Sequence, residues 1–193
     1  MIIKQAGTYR SYLLSTEARL RDEPAGGQSI SFDEVPGHAR IRTGNPMFDG
    51  LYALAAHEAR LNSVSEIRDG SYHHGAPVPL EAFQTGALWT YVWTRDLAYA
   101  AHLGLAGFDP PRSARSLLFK SSPLKAAFRG TGADPQIVQD TGSGGSYPVS
   151  TDRVVWALGA HATLKMLKDE ERAGCRMDPA TGTEPGFVVC RYP

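Results

Sequence analysis

Trp89-Thr90-Tyr91-Val92-Trp93-Thr94-Arg95-Asp96-Leu97 gathers two tryptophans, a tyrosine, an arginine and an aspartate in one short run. Small and apolar residues follow: Ala98, Tyr99, Ala100, Ala101 and Leu103. This spacing predicts a helix, with Thr94 as its N-cap. On such a helix Trp93, Asp96 and Ala100 share one face, at i, i+3 and i+7. A carboxylate beside an indole suits a sugar. The flat ring stacks on C–H bonds, and the carboxylate accepts hydrogen bonds from two hydroxyls. The run also has a purely structural use, because a first-turn Asp complements the helix dipole and aromatic residues commonly fill cores.

Working outward, the chain has 193 residues, enough for one domain with a real core. Its formal net charge is zero, which points away from nucleic acid and anionic membranes as partners. A hydrophobic content of 42% with 21% charged residues is that of a globular protein, not a disordered one. The longest apolar runs are too short to span a bilayer. Met1-Ile2-Ile3-Lys4-Gln5 carries no signal-peptide core, so a cytoplasmic location is expected if Met1 is the true start. The two cysteines, Cys175 and Cys190, could pair, but their spacing specifies neither a metal site nor a redox motif. No metal and no cofactor are expected.

Residues 1–42 alternate loosely through Tyr9, Tyr12, Leu13, Leu14, Ile30, Phe32 and Val35, and read as an extended N-terminal segment. Thr43-Gly44-Asn45-Pro46 is a helix start, and Met47, Leu51, Leu54, Ala55 and Leu61 continue at helical spacing to about residue 63. His57 reads as a surface residue of that helix. Residues 64–92 read as a long irregular connection holding His73-His74, which lacks an evident third metal ligand. A second helix covers about 94–106 and stops at Gly107. A short Asp109-Pro110-Pro111 link leads to a third helix over about 112–121. Residues 122–150 form another irregular connection. The fourth helix runs from Thr151-Asp152 to about Lys168, with Val155, Leu158, Ala162 and Leu167 near one stripe. The fold expected is mainly α, an array of α-hairpins. Long connections enter helices two and four, so both N-termini should meet at one rim, where Trp93 with Asp96 is matched by Asp152 with Trp156.

Trp93-Thr94-Arg95-Asp96 and Ser150-Thr151-Asp152-Arg153-Val154-Val155-Trp156 resemble the six-hairpin glycosidases, the glucoamylase and glycogen-debranching type. The likeness covers about residues 43–168. It implies that residues 43–193 are part of an (α/α)6 toroid and that the partner is an oligo- or polysaccharide. Trp93, Arg95, Asp96, Asp152 and Trp156 would bind substrate, with Asp140 on a rim loop. Six hairpins need twelve helices, and four are visible. The chain therefore reads as the first part of a toroid, binding saccharide but poorly active by itself. No general acid is assignable, since first-turn aspartates suit accepting hydrogen bonds better than donating a proton. The open flank of the last hairpin, along Val154, Val155, Trp156, Leu158, Leu164, Met166 and Leu167, would favour self-association.

Two other readings compete. One is an incomplete helical chain without catalysis. The other is a retroviral-type aspartic protease, in which Asp140-Thr141-Gly142 supplies the catalytic turn and Ala157-Leu158-Gly159 the apolar element beside it.

Overall fold

The computed structural model describes residues 1–18, 28–69, 75–121, 137 and 151–169. The chain divides into two compact units, Met1–Leu61 and Asn62–Pro193.

In the first unit, Tyr9–Thr16 (β2) alternates so that Tyr12 and Leu14 are buried while Leu13 turns outward. Ile2–Ala6 (β1) and Gln28–Asp33 (β3) pair antiparallel on either side of it. Ala6 faces Tyr9, which leaves Gly7 and Thr8 as a two-residue turn. Gly7 takes a φ of 61°, the left-handed value that such hairpin turns require. Pro46–Leu61 (α1) follows, and the Asn45 side chain caps it by accepting from the Met47 and Phe48 N–H groups at 3.1 and 3.2 Å. The helix meets the sheet through small residues. Gly50 and Ala53 are buried, and a Cβ on Gly50 would lie 3.4 Å from both Leu14 and Tyr12. Met47 and Leu51, from the apolar stripe of the sequence, stand exposed. His57 is not a plain surface residue. It is half-buried, with its ring stacked on Phe32 at 5.2 Å, and Phe32 in turn stacks on Tyr12 at 5.5 Å.

An ionic strap ties residues 34–49 to this sheet. Arg42 forms a two-pronged pair with Glu34 at 2.6 and 2.7 Å, and Glu34 also accepts from the Arg10 N–H and the Tyr12 hydroxyl. Asp49 accepts from Arg10, from the Thr43 N–H and from the Thr43 hydroxyl. Burial alone would raise the pKa of Glu34. The hydrogen bonds from Arg42, Arg10 and Tyr12 outweigh it and hold Glu34 below its ordinary 4.5. The Thr43 N–H is the main cause that holds Asp49 below its ordinary 3.8. Carboxyls with lowered folded-state pKa values stabilise above their unfolded values and lose that contribution as pH falls through the folded ones. The first unit should therefore lose stability as pH falls through and below the ordinary carboxylate range. All three tryptophans lie in the second unit. Far-UV circular dichroism should thus report an acid transition that tryptophan fluorescence does not follow. Glu34→Gln should flatten the acid response and cost about 2 kcal/mol at neutral pH, less than for a fully buried pair because Arg42 is partly exposed. Coincident transitions by the two probes would contradict this assignment.

The second unit opens with an antiparallel ribbon, Ser63–Ile67 (β4) and Val78–Phe83 (β5), with an irregularity between Val64 and Glu66. Four helical pieces follow: Thr94–Ala100 (α2), a wide π-turn over Ala101–Leu105, Ala106–Phe108 (α3) and Pro110–Phe119 (α4). Asp109 caps α4, its carboxylate accepting from the Arg112 N–H at 3.0 Å ahead of the two prolines. Asp152–Met166 (α5) packs on α2 and α4. The core joins Ile67, Ala82 and Phe83 of the ribbon to Val92, Leu97, Ala98, Ala101, Leu117, Phe119 and Val155. On α5 the inward stripe is Val155, Gly159, Thr163 and Leu167, whereas Leu158 is exposed together with Val154, Leu164 and Met166.

These elements correct the expected fold class. Of the described residues 46% are helical and 25% lie in strands, so the fold is mixed α and β, with two antiparallel sheets and not a mainly α hairpin array. The error lies in the stretch 64–92. Pro79 reads against a strand in a sequence, but both strands of a two-stranded ribbon are edges, where a proline removes no obligatory ladder bond. The second helix is likewise not one continuous α-helix, because the π-turn interrupts it and carries His102, Leu103 and Gly104 outward.

Candidate functional site

Thr85 organises the run on which the sequence turns. Its N–H and its hydroxyl both donate to the Tyr91 carbonyl at 2.9 Å, and its hydroxyl accepts from the Trp93 N–H at 3.0 Å. Between them, residues 86–89 form a tight turn. The Gly86 N–H donates to the Trp89 carbonyl at 3.2 Å, and the Trp89 N–H donates back to the Gly86 carbonyl at 3.0 Å. This closure gathers three aromatic rings that the sequence spaces two residues apart. Trp89 and Trp93 have ring centres 5.1 Å apart, Tyr91 and Trp93 6.0 Å, and Trp89 and Tyr91 6.2 Å. Trp89 is 45% exposed, while Trp93 and Tyr91 are half-buried. The Trp93 indole N–H is buried and has no hydrogen-bond partner among the described residues.

Trp93 is extended, with φ −89° and ψ 130°, and leads directly into α2. Thr94 is not the N-cap; it is fully buried within the first turn, and the N-cap residue, Trp93, makes no side-chain capping hydrogen bond. Three positions beyond Trp93, Asp96 is exposed in the first turn. The expected acceptor is thus open to solvent on the helix that carries the inner tryptophan.

Arg95 and Asp152 join the N-termini of α2 and α5. The guanidinium donates to the Asp152 carboxylate at 2.6 Å, and the Asp152 side chain is 1% exposed while that of Arg95 is 51% exposed. The two helices thus begin side by side, as the sequence predicts. The pair also engages both residues with each other, and Asp152 offers little surface to a ligand in this arrangement. Trp156 turns into the core, where its indole N–H donates to the Leu117 carbonyl at 2.9 Å. Trp93, Arg95, Asp96 and Asp152 are therefore brought together, whereas Trp156 serves packing. Asp140, the His73-His74 pair and both cysteines lie outside the described residues.

The protease reading is also corrected at one of its elements. Ala157-Leu158-Gly159 lies in the middle of α5, so it is not the extended apolar element beside a catalytic turn. Thr85 escaped the sequence reading, and Trp89 was read without its turn. Thr85 carried a weak signal, a small hydroxyl residue just before a glycine turn, where such side chains bond local backbone. Trp89 was visible, but its place in a closed turn was not.

Comparison with protein-family models, curated proteins and solved structures gives no match for this chain.

Proposed function

We propose that this chain recognises saccharide in the manner of a glycoside-hydrolase-like protein, with an oligo- or polysaccharide as its partner. The observation that carries this reading is the aromatic cluster of Trp89, Tyr91 and Trp93, which leads into the helix whose first turn carries the exposed Asp96. A pyranose has one apolar C–H face and a rim of hydroxyls. Indole rings take the face, and a carboxylate accepts from adjacent hydroxyls. The resemblance of Trp93-Thr94-Arg95-Asp96 to the six-hairpin glycosidases supports the same partner from the sequence side. It does so without the toroidal fold.

Turnover is not part of this reading. A glycosidase needs two carboxyls about 5–10 Å apart, one of them a proton donor in an apolar setting. Asp152 is engaged by a guanidinium, and Asp96 faces solvent. The purified chain should thus hydrolyse aryl glycosides far below the ordinary enzymatic rate of about 10 per second. It should still bind oligosaccharides, and Asp96→Ala should weaken that binding about tenfold with only a small fall in melting temperature from the lost helix-dipole interaction. Binding indifferent to both Asp96→Ala and Trp93→Phe would overturn the reading, and rapid turnover would reveal an acid elsewhere in the chain.

A further inference from the structure

Trp89 lies outside the Trp-x-Arg-Asp run, yet it is the most exposed ring of the cluster. It is 45% exposed, whereas Trp93 behind it is half-buried. Two reciprocal backbone hydrogen bonds with Gly86 fix its place, so little backbone entropy is left to lose when a ligand docks. Its ring centre is 5.1 Å from that of Trp93, and the two planes are tilted by 31°. Asp96 lies on α2 beyond Trp93, in sequence on the side away from Trp89. A single sugar that stacks on Trp93 would not need the exposed face of Trp89.

We infer that Trp89 forms a second, outer stacking position, so that the site takes a saccharide of at least two units and selects against a free monosaccharide. The inference rests on the saccharide-binding reading above. In this arrangement the inner unit meets Trp93 and Asp96, and the next unit meets Trp89. Trp89 is a specificity-determining residue for ligand length, and Trp93 is the anchor common to all ligands.

The test uses the full chain and ligand-observed NMR titrations with glucose, maltose, cellobiose and the corresponding tetrasaccharides. Wild-type protein should bind at least one of the disaccharides about tenfold more tightly than glucose, the gain expected of one added aromatic contact. Trp89→Ala should weaken the disaccharide more than glucose and bring it to within about twofold of glucose. Trp89→Phe should retain most of the difference. Circular dichroism melting of each variant confirms that it is folded, which is expected because the side chain sits on an exposed turn. Equal weakening of glucose and disaccharides by Trp89→Ala would overturn the inference, since Trp89 would then act only by holding the site together. Wild-type affinity independent of ligand length would overturn it too. A folded wild-type chain that binds none of these sugars would overturn the saccharide reading itself and this inference with it.

Discussion

Gly159→Ala should lower the melting temperature of the second unit by about 10 °C, although alanine is the better helix former. At an open helical position the exchange would stabilise by up to about 1 kcal/mol. Here a Cβ would lie 2.8 Å from the Ala98 Cα, 2.9 Å from its carbonyl oxygen and 3.2 Å from its carbonyl carbon. These are backbone atoms, so no side chain can rotate away, and α5 must move off α2 as a whole. Overpacking of this kind typically costs about 1–3 kcal/mol and sometimes more. Because the clash dominates the propensity gain, the sign is clear. Gly159→Val should be worse still. Gly107→Ala provides the control, because a Cβ there meets nothing within 4 Å; it should leave stability unchanged or slightly raised. Ala98→Gly should fail to rescue Gly159→Ala, because it removes a Cβ and leaves the colliding atoms in place. Thermal unfolding followed by tryptophan fluorescence settles the point. A Gly159→Ala protein as stable as Gly107→Ala would mean that the two helices do not approach so closely.

That contact also shows what the sequence could disclose. Helix starts were legible wherever the signal is local. Asn45-Pro46 announces α1, Asp109-Pro110-Pro111 announces α4, and the N-termini of α2 and α5 were expected to meet. Their meeting depends on Ala98 and Gly159, whose small size reads in a sequence as mere helix filler. The ribbon was hidden for a related reason. Ile67 acquires its strand partner Val78 only across an intervening stretch, and Pro79 argues locally for the opposite. The inward stripe of α5 was misplaced at Leu158, because a glycine and a threonine occupy the face where an apolar pattern was sought. In the site, residue types pointed to the right run but not to its organisation. Trp93 and Asp96 could be placed on one helix face from spacing alone. That Asp152 would be buried against Arg95, and that Trp156 would bond the backbone of α4, are tertiary facts with no local trace.

Breaking the Arg95–Asp152 pair should be asymmetric. Arg95→Ala leaves a carboxylate that is 1% exposed without its guanidinium, whereas Asp152→Asn leaves an arginine that is half-exposed and can hydrate. We expect Arg95→Ala to cost about 2 kcal/mol, below the figure for a fully buried pair because one partner is exposed, and Asp152→Asn about 1 kcal/mol or less. In the double variant the buried charge is gone, so the loss should be smaller than the sum of the two, with a coupling of about 1 kcal/mol. Chemical denaturation of the four proteins gives this cycle directly. The same cycle links stability to binding. Arg95 lies between Trp93 and Asp96 in the chain, and its bond to Asp152 fixes the first turn of α2 against α5. If that bond positions the site, Arg95→Ala should weaken saccharide binding under conditions where the variant is fully folded, and adding Asp152→Asn should cost little further stability and should not restore binding. Additive stabilities would show that the pair does not couple the helices. A stable Arg95→Ala chain with unchanged binding would show that Trp93 and Asp96 are held in place by the Thr85 turn and the helix packing alone.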